Sequence, residues 1–312
     1  MKNTDIVIVG TGSPAAEVLY ALAQAAVRIR IGIIGRSEAK ASELAWTANA
    51  RAGILRTRTI CEPLAIPRFE AHTFARVLRP LKPKIIFQAA SLQSPWESGK
   101  HQNAWTRLLA SAGFGVTLPL QMALAAEVSR AAGESKAFII NASYPDCVNV
   151  ALHKLGLRIT CGIGNSAIVE SFCRAREELR NSDVRVVGHH GHLSGWLKAI
   201  RSVLQPRIWV KGREIDPLPR SPKLASIGKE LNIVTASTTA AVILAMLSGR
   251  TLQVSIPGIA ALPGGYPYLL KDGKLTLQLP AGIGREEAIA HNKTGERSDG
   301  LDIGSRFSSS ER

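Results

Sequence analysis

The sequence predicts an α/β chain: a doubly wound parallel sheet in the N-terminal half, followed by a unit of mixed α+β structure. Three observations carry this. Residues 5–26 read DIVIVGTGSPAAEVLYALAQAA, a β-branched strand, a glycine-broken turn and a helical pattern with apolar residues at Ala15, Val18, Leu19, Leu22 and Ala26. Short apolar runs at 29–34, 84–90 and 137–140 follow, with a long helical pattern over 117–132, the alternation of a sheet covered by helices. Beyond residue 180 the pattern becomes paired strand runs joined at glycines, which marks antiparallel hairpins.

The opening segment is a phosphate-binding βα turn. Gly10 permits the tight turn, Gly12 lets backbone approach a pyrophosphate, and Ala15 keeps the helix close to the sheet. Ser13 and Pro14 supply an N-cap and a first-turn proline, so the helix N-terminus faces the anion. The second strand ends at Gly35-Arg36-Ser37. A dinucleotide domain selective for NAD places an acidic residue near this point for the ribose hydroxyls; here stand Arg36, Ser37 and the nearby Lys40. These favour the extra phosphate of NADP as cofactor, with NAD as the other possibility. The run 84–90 ends in the small residues Ala89 and Ala90, as a strand tip beside a nicotinamide requires, and a polar loop, SLQSPWESGKHQ, occupies 91–102. Asn141 closes the run 137–140.

In the second half, a helix is expected over 147–155, then the turn Gly162-Ile163-Gly164-Asn165 opening a helix over 166–179. Strands at 184–187, 207–210 and 213–215, a helix from about 222 to 247, a strand at 252–256, a hairpin around Asp272-Gly273 and a helix over 285–292 complete it. The expected organisation is a Rossmann domain at 1–145, a mixed α+β substrate domain at 146–292 and a polar, disordered tail at 293–312.

Composition fits two packed units sharing a cleft: the chain has 312 residues and is 46% hydrophobic. Four isolated cysteines, without paired spacing, suit a reducing cytoplasm rather than a disulfide scaffold. The N-terminal apolar run is too short for a signal peptide or a membrane span, so no membrane partner is expected. The net charge of +15 invites a nucleic-acid reading, but the basic residues are spread along the chain and aromatics are only 5%. Nucleic acid is therefore not an expected partner.

The stretch VRVVGHHGHLSGW, 184–196, delivers three histidines into a glycine-broken turn. Strand alternation would point His190 and His192 one way and His189 the other. An imidazole there can donate and remove a proton at neutral pH; the His190 and His192 pair as metal ligands is the weaker alternative, and no metal is expected.

In this order of elements the chain resembles the lactate/malate dehydrogenase superfamily. His190 falls in that family's glycine–any–histidine–glycine turn, here Gly188-His189-His190-Gly191, and Asn141 matches its strand-end asparagine. The resemblance implies a small-molecule substrate, a homodimer or homotetramer, and hydride transfer at a carbonyl/alcohol carbon, or at an imine or activated alkene as a variant, with His190 as acid/base. It also implies cofactor and substrate contacts from Asn141. The family's orienting aspartate and substrate-clamping arginine would fall on Ile168 and Ser171. Glu170, the only carboxylate on that turn, is the expected orienter of His190. The loop 91–102 lacks the family's arginines and offers Gln93, Trp96, Glu97, Lys100 and His101. Gln93, Trp96, Asn141 and His192 are therefore the expected substrate contacts, and the substrate is expected not to be a simple 2-oxo acid. The alternative is a non-catalytic nucleotide-binding or scaffold protein that kept the fold.

Overall fold

The computed structural model describes residues 4–95, 102–133, 135–197, 204–216, 228, 230–259 and 261–303. A six-stranded parallel sheet forms its first layer, built from β1 (Ile6–Val9), β2 (Arg30–Gly35), β3 (Ile60–Ala65), β4 (Ile85–Gln88), β5 (Phe138–Asn141) and β6 (Cys161–Gly162). Their order is β3-β2-β1-β4-β5-β6, so the chain reverses direction between β1 and β4. Ligands of such sheets bind in the crevice that this reversal opens at the carboxyl ends of the strands. Apolar side chains fill both faces of β1, β2 and β4, as a sheet covered by helices demands.

The helices α1 (Ser13–Ala23), α2 (Glu38–Ile54), α3 (Ala71–Leu81), α4 (Ala104–Ala112), α5 (Leu118–Ala132) and α6 (Pro145–Lys154) belong to this half. Gly12, not Ser13, is the N-cap of α1. Ser13 is already helical, and its hydroxyl accepts from Asn232 Nδ2 at 3.1 Å. Ser37 caps α2, its hydroxyl accepting from the Lys40 N–H.

The second half packs α7 (Asn165–Arg174), α8 (His190–Leu197), α9 (Leu231–Ser248) and α10 (Arg285–Ser298) around two antiparallel sheets. One joins β7 (Val184–Val187), β8 (Arg207–Val210) and β9 (Arg213–Ile215); the other joins β10 (Leu252–Pro257), β11 (Gly265–Lys271) and β12 (Lys274–Leu277). A single bridge, Gly188 to Gly265, links the two sheets. The hairpin β11–β12 turns at Asp272 and Gly273, both with positive φ, as anticipated for that dipeptide. By length and composition α9 could cross a membrane, but it packs on α1 and its buried face joins the main core. That core also holds Ile6, Ile8, Ile31 and Phe87 from the parallel sheet and Tyr266 and Tyr268 from β11, so the halves share one apolar interior.

Two expectations change here. The histidine segment is not a continuing strand: after Gly188 the chain turns into α8, and His192 Nδ1 accepts the His189 N–H at 3.0 Å to close the first turn. The helix expected to end at Asn292 continues to Ser298, with ordered chain to Ile303 in place of a tail from 293. The cause of both is the crossing of α8 and α10. A Cβ on Gly191 would lie 2.4 Å from the Gly295 carbonyl oxygen, and one on Gly295 would lie 2.6 Å from the His189 Cβ. Only glycines allow the two backbones this close. His192 and His291 stack at 4.3 Å in the same interface, and His192 Nε2 contacts Thr294 Oγ1 at 3.0 Å.

Gly295→Ala is expected to cost about 1–3 kcal/mol, as an overpacked interface does. Gly53→Ala, in open space near the end of α2, is expected to stabilise by up to about 1 kcal/mol. Urea melts of both variants check the opposite signs.

Burial and neighbouring His291 push the His192 imidazole down to about 2, and burial with Arg207 pushes His291 down to about 4. Both therefore fold neutral, while the unfolded chain takes up these protons as pH falls below about 6.5. Stability is expected to fall from about pH 6.5 towards pH 4, by up to about 1.4 kcal/mol per pH unit for each histidine. Melts of wild type and His291→Gln across that range check it; the variant should show the shallower slope.

Candidate active site

The carboxyl end of the parallel sheet forms the nucleotide end of the cleft. Gly10 takes φ +119°, and a Cβ there would stand 3.1 Å from the Ala90 nitrogen and 3.2 Å from the Ala89 carbonyl carbon. The turn after β1 thus lies against the tip of β4 with no room for a side chain. Gln88 braces that tip by holding the Ala90 carbonyl and N–H through its amide. Gly12 is exposed and no side chain caps α1, which leaves the first-turn N–H groups directed outward. Ala15 is 1% exposed and seats α1 on the sheet. Arg36, Ser37 and Lys40 are exposed together beyond β2, with the Arg36 guanidinium 5.9 Å from the Phe69 ring centre. A dinucleotide's pyrophosphate suits the bare helix end.

Asn141, Gln93 and Ser143 are joined through Gln121 and Asn149 beside the ends of β4 and β5. Asn141 is fully buried, and its amide is occupied internally: Nδ2 donates to the Ser143 carbonyl and to Asn149 Oδ1, and Oδ1 accepts from the Ser143 N–H. It holds the turn after β5 where direct cofactor and substrate contacts were expected. The Gln93 carbonyl accepts from Gln121 Nε2, and its side-chain oxygen is buried without a hydrogen-bond partner among the described residues. Ser143 Oγ in turn donates to Gln121 Oε1 at 2.7 Å. Trp96 lies outside the described residues.

His190 begins α8 directly after His189, with 27% of its side chain exposed. Its Nδ1 contacts both carboxylate oxygens of Asp299, at 2.8 and 3.0 Å. The ring stacks on Phe114, centres 4.7 Å apart, and meets Tyr144 edge-on at 5.5 Å. Tyr144 Oη donates to Asp299 Oδ2 at 2.9 Å, while the Asp299 carbonyl accepts from the Gly115 N–H. Burial alone would raise the Asp299 carboxyl, but the His190 charge and the hydrogen bonds from His190 and Tyr144 outweigh it and hold it below the ordinary range. A carboxylate on Nδ1 fixes the tautomer and leaves proton exchange to Nε2.

Glu170, the expected orienter, stands elsewhere. It is buried on α7, where it accepts from Arg174 and from the Ser255 N–H at 2.7 Å. The Ser255 bond ties α7 to β10, and the Arg174 guanidinium is held by Glu170 and the Ser182 carbonyl. Ser171 bonds back to the Ala167 carbonyl, and Ile168 lies in the core under α8. His192 is fully buried against α10, so it meets His291 and Thr294 in place of the substrate contact expected. Trp196 packs on Phe172 in the same core.

Asp299, Phe114 and Tyr144 went unrecognised in the sequence. Asp299 falls in a segment read as tail, and only the glycines at 295 and 300 hinted at a packed helix end. Tyr144 sits between Asn141 and Pro145 at φ +41°, a backbone state that a tyrosine seldom adopts and that aims its hydroxyl at Asp299.

No family model matches the chain, and no curated protein matches it. Solved structures do. A lactate dehydrogenase from a Medee basin deep-sea metagenome library is 13% identical, with 96% of this chain and 97% of that one covered at a TM-score of 0.57. Malate dehydrogenase from Salinibacter ruber is 15% identical, covering 95% and 94% at 0.59. Lactate dehydrogenase from Cryptosporidium parvum, complexed with lactic acid and nicotinamide adenine dinucleotide, is 12% identical, covering 97% and 100% at 0.61. The likeness spans both halves, and the chain has the lactate and malate dehydrogenase fold.

Proposed function

We propose that this protein is a nicotinamide-dependent oxidoreductase acting on a carbonyl/alcohol pair, with His190 as the acid/base and Asp299 as its positioning residue. The observation that carries the reading is the 2.8 Å contact between His190 Nδ1 and Asp299, at the turn where dehydrogenases of this fold keep their proton-relay histidine. The nicotinamide, when bound, supplies or takes the hydride. In the reducing direction His190 Nε2 gives its proton to the carbonyl oxygen as the alcohol forms; in the other direction it removes the hydroxyl proton. Asp299 stabilises the imidazolium and fixes the ring. The Phe114 and Tyr144 rings flank the imidazole and keep water from one side of it.

Arg36 and Lys40 support NADP as the preferred cofactor. The substrate is a carbonyl compound other than a simple 2-oxo acid, because Arg174, on the helix that carries the family's carboxylate clamp, is committed to Glu170. The rings beside His190 suit a flatter, less charged group.

His190→Asn is expected to leave cofactor affinity intact and slow turnover by about a hundredfold or more. Asp299→Asn should lower kcat with little change in KM or in cofactor binding, with partial rescue by Asp299→Glu; a loss confined to KM would remove Asp299 from the role. NADPH should bind at least about tenfold more tightly than NADH by calorimetry, equivalent to about 1.4 kcal/mol. Arg36→Ala should weaken NADPH alone, and equal affinities in the wild type would overturn the preference. Pyruvate and oxaloacetate should turn over poorly; brisk oxidation of either reduced cofactor with them would overturn the substrate assignment.

A further inference from the structure

Behind the His190–Asp299 pair lies a second cluster that proton relay does not use. Cys147 on α6, His189 in the turn after β7 and Glu296 on α10 converge, their ligand-type atoms all within 4.8 Å of one another. Cys147 Sγ and His189 Nε2 stand 3.3 Å apart. The three residues are at most 1% exposed. Three separate elements thus deliver a thiol, an imidazole and a carboxyl to one dry point.

Further acidic side chains crowd that point. Glu296, Asp299 and Asp146 are all buried around it, and Asp146 Oδ1 has no hydrogen-bond partner among the described residues. Each of the three has a partner elsewhere: His190 faces Asp299, the Ile303 N–H donates to Glu296 Oε1, and Asn165 Nδ2 donates to Asp146 Oδ2.

We propose that Cys147, His189 and Glu296 bind one zinc ion. Thiolate, imidazole and carboxylate together suit zinc better than magnesium or calcium, which prefer oxygen alone. The 3.3 Å spacing of Sγ and Nε2 is close to that of two ligands on one tetrahedral zinc, and the third edge closes when Glu296 gives up the Ile303 N–H held on its Oε1 or turns its other oxygen inward. The outer contacts agree. Asp299 Oδ2 lies 3.5 Å from His189 Nδ1, so the metal-bound tautomer donates its Nδ1–H to a carboxylate. The Gly191 N–H donates to the same Nδ1 at 3.2 Å, a bond that zinc binding would give up. Binding requires loss of the Cys147 proton and moves the His189 proton from Nε2 to Nδ1. The ion would clamp α6, the His189 turn and α10 together and so fix Asp299 behind His190. It stands apart from the oxidoreductase reading and needs no substrate to test.

The experiment is metal analysis of the full chain purified from zinc-supplemented cells. About one zinc per chain is expected after dialysis, and chelation followed by zinc addition should lower and then restore the melting temperature. Cys147→Ser and Glu296→Gln should each weaken zinc by at least about tenfold. Cobalt(II) added to the apoprotein should give a thiolate charge-transfer band, which needs only the wild type and so survives any folding failure of the variants. Neither zinc nor such a band, with a melting temperature indifferent to both metals, would overturn the proposal and leave a thiol–imidazole hydrogen bond. A band that persists in folded Cys147→Ser would overturn it too, by placing the thiolate on another cysteine.

Discussion

The close crossing of α8 and α10 is the constraint on which the rest of the second half depends. Gly191 and Gly295 let two helix backbones meet without side chains between them, and the geometry that follows is not adjustable by small rotations. It puts the end of α10 beside the start of α8, which is why a carboxylate at 299 reaches an imidazole at 190. The Gly115 N–H then holds the Asp299 backbone from the other side. The imidazole's partner is therefore set by main-chain packing, with the Tyr144 hydroxyl and His189 Nδ1 also on the carboxylate.

How much of this could be read beforehand follows the range of the forces involved. The βα turn at Gly10, the strand tips at Ala89 and Asn141, the GIGN turn and the Asp272-Gly273 hairpin are local: a few residues fix the backbone, and their types announce it. The segment 41–83, with its alanine-rich α2 and the edge strand β3 interrupted by Pro63, carries a weaker pattern, because an edge strand tolerates proline and an alanine face gives little amphipathic contrast. His190 was legible through its glycine frame. Its partner was not, since the choice between Glu170 and Asp299 is made by tertiary packing. Glu170 sits near the expected sequence position, but Arg174 and the Ser255 N–H hold it on the far side of α7. His192 failed as a substrate contact for a related reason: a helix, unlike a strand, turned it into the α10 interface.

Charge is partitioned sharply in this molecule. The surface carries the excess that makes the net charge +15, whereas the interior behind His190 concentrates Asp146, Glu296 and Asp299 among three histidines. Field lines from buried acids end on nearby imidazoles, and those imidazoles differ in outcome. His190 keeps a partly open edge and a carboxylate on one nitrogen; His189 and His192 are sealed, and burial drives their basicity down. One short turn thereby holds an imidazole suited to proton exchange beside two that stay neutral.

The sequence distance between the two halves of the relay has a consequence for biosynthesis. Asp299 lies 109 residues beyond His190 and 155 beyond Tyr144. On a ribosome the nucleotide half and the histidine turn are made well before their carboxylate leaves the exit tunnel, and contacts of such long range form late in any case. A nascent chain can fold its phosphate-binding turn while the relay is still unfinished. The arrival of α10 then brings Asp299 to His190, so a chain interrupted before that helix would hold the parallel sheet and the histidine turn without the carboxylate on that imidazole.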